Sequence, residues 1–185
     1  MIYAGERTRW NHPVEFPGRR ELSAANISAV LSTMIPTLLN FALPLATAYA
    51  EEQEGLILRD GVPLTGEQCL DAQQAGVRSP ERVRLLKVES IPIPDQPALA
   101  KANAYVGMIK PEAVSIIFGY GISIRRDHWN KRPLLVHELV HVGQCERLGG
   151  VGSFLKAYLS ECMTVGHARS PLEREAVTRC KEICG

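Results

Sequence analysis

The chain has 185 residues, of which 45% are hydrophobic and 22% are charged, a composition typical of a globular protein. Its 21 basic and 20 acidic residues leave a net charge of +1, so bulk charge gives no reason to expect a nucleic acid or an acidic polymer as partner. The sequence shows no internal repeat and no low-complexity tract, so we expect one domain behind an N-terminal extension.

The N-terminal region is set apart by a long stretch without charge. No charged residue occurs over 22–50, two arginines lie just before it, and it ends on Ala48-Tyr49-Ala50. A basic start, an apolar centre and a small-x-small end are typical of a secretory signal peptide. The pattern therefore predicts a signal peptide or N-terminal extension over 1–50, and a protein exported to the periplasm or secreted.

The same segment allows two other interpretations. A helix that crosses a bilayer needs about 20 mainly apolar residues, and the apolar run within residues 27–50 is nearly long enough, so a retained membrane anchor is the first alternative. Pro36, Asn40 and Pro44 interrupt the segment, which favours the signal peptide. A buried helix of the folded domain is the second alternative. Contact with a membrane is expected only through residues 27–50, if they are not cleaved.

The cysteines all lie in the part that would remain after cleavage, residues 51–185. In an oxidising compartment some of them could pair, but the odd count and the spacing leave the connectivity open. No C-x-x-C pair occurs, so a cysteine zinc site is not expected. Burial of the thiols as small apolar side chains is at least as well supported as disulfides. The five are Cys69, Cys145, Cys162, Cys180 and Cys184.

The predicted elements begin with an irregular segment over 51–64. Thr65 and Gln68 then form a capping-box pattern, which predicts a short helix over 66–74. Gly76 follows as its stop signal, because glycine readily adopts the left-handed conformation that ends many helices.

The next part of the chain carries the strand signals. Residues 98–104 predict another short helix. Residues 113–118 are β-branched and aromatic, and residues 122–125 alternate apolar and polar side chains. Because Gly119-Tyr120-Gly121 separates these two runs, we expect a β-hairpin.

Three helices are predicted after the hairpin. The first runs from about Pro133 to Gly149-Gly150, and the second covers residues 153–165. The third begins at Ser170, with proline next to it and Glu173 completing a capping-box pattern. The order predicts an α+β domain, in which a small β-sheet or hairpin is followed by three helices.

The first of these helices carries the segment His137-Glu138-Leu139-Val140-His141. Residues four apart lie on the same face of a helix, so the two histidines could bind one zinc ion. Glu138 could then take a proton from water whose pKa the metal lowers. The neighbouring residues are apolar, and a glutamate buried there would be costly without a metal or a partner. The alternative is an ordinary histidine pair with a salt-bridging glutamate.

A third protein ligand is needed for such a site. The extended metzincin pattern fails, because Gln144 and Arg147 occupy its required glycine and histidine positions. A glutamate from a later helix would complete the site, and Glu173 and Glu175 are the candidates. Glu173 is also the last residue of the predicted capping box, so its carboxylate could instead reach back to the backbone.

The segment 137–141 followed by Glu173-Arg174-Glu175-Ala176 resembles the H-E-x-x-H plus E-x-x-A pairing of gluzincin-type zinc metallopeptidases. It is similar to small, minimal zincin domains of uncharacterised bacterial proteins, and the resemblance covers about residues 114–176. The resemblance implies a zincin-like fold and a peptide or protein substrate. It favours Glu173 over Glu175, and implies zinc held by His137, His141 and Glu173, with Glu138 as general base. Val177 stands where many relatives carry an aspartate that orients a ligand histidine.

Two further side chains are weaker candidates. His167 precedes Glu173 by six residues, and it could donate a hydrogen bond to an oxyanion or serve as an alternative ligand. A surface loop position is the favoured interpretation for it, since loops are mostly exposed. Tyr158 is expected to be a packing residue. The sequence thus predicts a zinc-dependent metallohydrolase domain over 51–185, with a non-catalytic zincin-like module as the alternative.

Overall fold

Helices and a small sheet together make an α+β fold, as the sequence predicts. The structure, a computed structural model, describes residues 24–106, 109 and 112–185. In these residues there are six α-helices: α1 (Ala24–Asp60), α2 (Gly66–Ala75), α3 (Pro97–Val106), α4 (Arg132–Leu148), α5 (Val151–Val165) and α6 (Pro171–Cys184). The strands are β1 (Val62–Pro63), β2 (Arg84–Val88), β3 (Ser115–Phe118) and β4 (Gly121–Arg125).

The four strands form one mixed sheet in the order β1-β2-β4-β3. β2 runs parallel to β4, whereas β1 pairs antiparallel with β2 and β3 pairs antiparallel with β4. The predicted hairpin is confirmed: Ser115 faces Ile124, Phe118 faces Gly121, and Gly119 takes a φ of +60° in the turn between them. β3 is therefore the terminal strand on the hairpin side of the sheet.

The main core lies between the sheet and α4. Leu85 and Ile122 of the sheet pack in one cluster with Leu135, Leu139 and Val142 of α4. Most of α4 is buried, including every residue from Glu138 to Cys145. The helix that carries the histidine motif is therefore the central element of the fold, as its apolar neighbours predict.

α4 can lie this deep because one of its residues has no side chain. A Cβ built on Gly143 would lie 3.0 Å from the carbonyl carbon of Gly76 and 3.1 Å from the carbonyl oxygen of Ala75, at the end of α2. Such distances are tighter than ordinary packing allows. Gly143 thus lets the left-handed cap of α2 rest directly against the motif helix.

The expectation of an irregular segment over 51–64 is wrong for residues 51–60. α1 continues through them to Asp60, and it also continues through the prolines expected to interrupt it. The reason is tertiary packing, which overrides weak local propensity. Ile57 packs in a cluster with Phe118, and the carboxylate of Glu54 accepts a 2.7 Å hydrogen bond from the backbone N–H of Tyr120 in the hairpin turn.

The predicted cleavage sequence Ala48-Tyr49-Ala50 lies inside α1. The ring of Tyr49 meets Phe118 edge-on with 5.9 Å between ring centroids, and Ala50 is buried. Residues 1–23 of the predicted signal peptide lie outside the described residues. None of the helices in the described ranges has the length and apolar character needed to cross a membrane. Export therefore stays a prediction, and residues 46–60 belong to the packed fold described here.

The five cysteines are all unpaired in the structure. Cys145 is buried on α4, and burial raises the pKa of its thiol to about 12. This thiol matches the interpretation of a cysteine as a small apolar side chain.

Replacing Tyr49 tests whether α1 is part of the stable fold. Tyr49→Ala removes the ring from Phe118 and should lower the free energy of unfolding by about 2–3 kcal/mol, somewhat less than for a fully buried aromatic residue. Chemical denaturation of the full chain measures this.

Tyr49→Phe is the matched control for that substitution. Among the described residues the buried hydroxyl of Tyr49 finds no hydrogen-bond partner, so its removal should leave stability unchanged or slightly raised. Equal stability of Tyr49→Ala and the parent chain would mean that the segment before residue 51 does not pack on the sheet.

Candidate metal centre

The two histidines of the motif face each other across one turn of α4. Their ring centroids lie 4.8 Å apart, and His137 Nε2 lies 3.1 Å from His141 Nε2. His141 is buried, whereas about a quarter of the His137 side chain is exposed. The two imidazole nitrogens therefore lie close together, as the helical spacing predicts. Solvent can reach them from the side of His137.

Glu173 reaches the same point from the first turn of α6. Its Oε1 lies 3.2 Å from His141 Nε2, and its Oε2 lies 3.5 Å from His137 Nε2. The carboxylate does not take the capping role that the sequence also allows for it. Its backbone N–H donates to Ser170 Oγ, at 3.4 Å, as a cap requires, while its carboxylate turns to the histidines.

The complete capping box expected at Ser170 and Glu173 is therefore wrong in its second half. At α2 the pattern is complete, because the side chain of Gln68 also accepts from the backbone N–H of Thr65. At α6 the carboxylate is held elsewhere, since three imidazoles and a phenol contact it. Charge-assisted contacts of this kind are stronger than a neutral capping hydrogen bond.

Glu175, the other candidate ligand, lies on a different face of α6. Its carboxylate accepts two hydrogen bonds from the guanidinium of Arg147, at 2.9 and 2.7 Å, and a third from the amide of Gln144 at 3.1 Å. The Arg147 guanidinium lowers the pKa of this carboxyl. The structure thus brings Glu173, and not Glu175, to the histidines.

The distances among the three groups can be compared with those that a zinc ion requires. Zinc bound to nitrogen and oxygen at about 2.0–2.1 Å in tetrahedral geometry places its ligand atoms about 3.3 Å apart. Here the two histidine nitrogens are 3.1 Å apart, Oε1 of Glu173 lies 3.2 Å from His141, and Oε2 lies 3.5 Å from His137. One ligand atom from each residue lies within 4.8 Å of the other two. Two imidazoles and one carboxylate are also the donor set of one class of catalytic zinc site, so these residues fit the metal in chemistry and lie close to the spacing that it requires.

The charge state of the cluster follows from the same contacts. Burial raises the pKa of Glu173, but His137, His141 and Tyr158 outweigh burial and hold this pKa well below its usual range. Burial lowers the pKa of His141, but Glu173 and Glu138 outweigh that effect and raise it overall. Glu173 is therefore ionised at neutral pH, as a metal ligand must be.

Tyr158 is a site residue that the sequence analysis missed. The expected packing role is confirmed, because its ring stacks on Phe154 with 5.4 Å between centroids. Its hydroxyl also donates a 2.6 Å hydrogen bond to Oε1 of Glu173. Burial and the Glu173 charge raise the pKa of Tyr158, so it remains a donor. The hydrogen bond between Tyr158 and Glu173 depends on how α5 packs against α6, so no local sequence pattern predicts it.

Glu138 points toward the sheet side of the motif helix. It is 7% exposed, and its Oε1 accepts a 2.7 Å hydrogen bond from the hydroxyl of Ser115, the first residue of β3. The predicted general base is thus a buried carboxylate oriented by the terminal strand. Ser115 was not identified from sequence, where it is one polar residue in an apolar strand.

His167 lies in a short 3-10 turn, His167–Arg169, between α5 and α6. Its side chain is 66% exposed, which matches the predicted surface position, and its Nε2 lies 3.3 Å from Oε1 of Glu173. The three-residue ligand group found among the described residues does not include it. His167 is therefore a neighbour of the site on the solvent side.

Comparison with known proteins gives no relative for this chain: no family model, no curated protein and no solved structure matches it. The function of this chain is therefore inferred from the geometry of its own residues.

Ser170 is the residue that holds the start of α6, so its loss should be costly. It is fully buried, and its hydroxyl donates to Glu161 Oε2 at 2.6 Å while accepting from the N–H of Glu173. Ser170→Ala should lower the free energy of unfolding by about 1–3 kcal/mol, the cost of a lost cap plus the lost hydrogen bond to the Glu161 carboxylate.

The matched control is Ser160→Ala on α5. In the described part of the chain that hydroxyl donates to the carbonyl of Lys156 within its own helix and contacts no other element, so the change should stay within about 0.5 kcal/mol. Urea denaturation of both variants makes the comparison, and equal effects would show that α6 does not depend on this cap.

Proposed function

We propose that the chain is a zinc-dependent metallohydrolase, and specifically a peptidase. The observation that carries this proposal is the convergence of His137 Nε2, His141 Nε2 and the Glu173 carboxylate at separations of 3.1–3.5 Å. A buried carboxylate, Glu138, stands next to the first histidine, and the exposed edge of His137 gives access from solvent. His137, His141 and Glu173 would hold the metal.

Each residue around the cluster has a role that its contacts support. Zinc, when bound, supplies Lewis acidity and brings the pKa of water to about 7. Glu138 takes the proton of the attacking water and later delivers it to the leaving amine. The hydroxyl of Ser115 holds Oε1 of this carboxylate, so Oε2 is the oxygen that exchanges the proton.

Two donors contact the carboxylate of Glu173. The hydroxyl of Tyr158 and the imidazole of His167 both contact Oε1 of Glu173, at 2.6 and 3.3 Å. A hydrogen-bond donor at such a place can stabilise the negative oxygen that develops on a substrate carbonyl. We assign this role to His167, because it is the exposed one of the two and can face a substrate.

The position of β3 supports a peptide as the substrate. β3 is the terminal strand of the sheet, and its first residue contacts the proposed general base directly. An extended peptide can add to such an edge through main-chain hydrogen bonds. A scissile bond carried along this edge would come next to Glu138.

A non-catalytic module with a structural metal is the alternative. Structural zinc sites are closed by four protein ligands, whereas catalytic sites have three and leave one position open. Among the described residues the ligand group has three members, and one of them is partly exposed. Both features favour the catalytic interpretation.

Metal binding is tested by the ligand glutamate. The purified chain should bind one zinc ion, and Glu173→Gln should weaken binding by more than about 100-fold, beyond the range expected for an outer-shell partner. Metal analysis and competition with a chelating dye measure this.

The control for that variant is Glu182→Gln on the same helix, because Glu182 is exposed and, among the residues that the structure describes, pairs only with Arg179. It should bind zinc as the parent chain does. A parent chain that holds no zinc at all under chelator-free conditions would contradict the enzyme and the structural-metal alternative together.

Catalysis is tested by the glutamate of the motif. Glu138→Gln should retain zinc but cleave peptides about 100- to 10,000-fold more slowly, the usual contribution of a positioned general base. A peptide library digested by the zinc-loaded parent chain supplies the substrate for the comparison. Zinc binding without any cleavage by the parent chain would favour the structural-metal alternative.

A further inference from the structure

Gln144 is a polar residue of α4 that is almost completely buried and that the proposed mechanism does not use. It is 1% exposed and lies three residues after His141. Its side-chain oxygen lies 2.8 Å from Nδ1 of His141, on the opposite side of the ring from the metal-facing nitrogen. A buried amide is costly unless all its polar groups find partners.

The partners of the amide nitrogen fix which way the amide points. Gln144 Nε2 lies 2.9 Å from the carbonyl oxygen of Leu172 and 3.1 Å from Oε2 of Glu175. Both of these atoms can only accept, so they use the two N–H groups of the amide. The amide oxygen is then the only group left to face His141.

This orientation in turn decides the state of the imidazole. Because an amide oxygen accepts, Nδ1 of His141 must carry the hydrogen and donate it. In neutral imidazole the other nitrogen then holds the lone pair. That nitrogen, Nε2, is the atom that lies 3.1 Å from His137 and 3.2 Å from Glu173.

We propose that Gln144 is the positioning residue that fixes His141 as a metal ligand, and that Glu175 acts on the site through Gln144. This inference rests on the proposed zinc site. It assigns a function to the glutamate that does not reach the histidines: Glu175 selects the orientation of the amide, and Arg147 holds Glu175 with two hydrogen bonds.

His141 is oriented from its own helix. His141, Gln144 and Arg147 follow one another at intervals of three residues on α4, so they share one face of the helix, and that face meets α6.

The test compares the zinc affinity of three variants at one fixed pH. Gln144→Leu keeps the apolar bulk but removes the acceptor, and it should weaken zinc binding about 10- to 100-fold, as loss of an outer-shell partner typically does. Gln144→Glu keeps an acceptor for His141 but places a carboxylate against Glu175, and it should also bind zinc more weakly. The double variant Gln144→Glu/Glu175→Gln restores a donor opposite the new carboxylate and should recover affinity.

A spectroscopic measurement separates positioning from general stability. In the zinc-loaded parent chain, proton NMR should show a slowly exchanging signal from the Nδ1 hydrogen of His141. This signal should be lost in Gln144→Leu and return in the double variant. Leu135→Ala, a core substitution on the same helix, should lower the melting temperature but keep both the signal and the zinc affinity.

The outcomes distinguish this inference from the proposed function. A parent chain that binds no zinc overturns the metal site itself, and the inference with it. A parent chain that binds zinc, together with a Gln144→Leu variant of equal affinity and unchanged Nδ1 signal, overturns the positioning role alone. Equal losses of zinc affinity in Gln144→Leu and Leu135→Ala would show that Gln144 is only a packing residue.

Discussion

The rest of the site depends on the contact between one carboxylate and two imidazoles where α6 meets α4. Glu173 places one oxygen 3.2 Å from His141 and the other 3.5 Å from His137. A buried charge of this kind is tolerated only with compensating partners, and Tyr158 and His167 add two more. The carboxylate of Glu173 therefore connects four elements: α4, α5, α6 and the turn between α5 and α6.

Different parts of the fold hold the proposed base and the proposed metal ligands. The sheet covers one side of the motif helix, α1 packs on the sheet and on α5, and β3 holds Glu138 through Ser115. α6 covers the other side and supplies Glu173. Gln144 contacts Nδ1 of His141 and also Glu175, which Arg147 holds in turn. The proposed base and the proposed ligands are thus oriented from opposite directions by different parts of the chain.

The sequence predicted local elements well where the signals are short-range. The cap of α2, the hairpin and the glycine that ends α4 are all confirmed, because each depends on residues within a few positions of one another. The sequence-based prediction was wrong over 51–60, because this polar, glutamate-rich segment gave no reason to expect a packed helix. There Glu54 and Ile57 are held by the distant hairpin turn, a contact that no window of the sequence contains.

The same division applies to the site. The sequence by itself determined that His137 and His141 share a helix face and that Glu138 lies beside them, because helical periodicity fixes both. Only the tertiary structure decided between Glu173 and Glu175, since residues two apart on α6 face different partners and the packing of that helix on α4 selects one. It alone also brought Ser115, Tyr158 and the second role of Gln144 to the site, because hydrogen bonds between separate elements depend on how those elements pack.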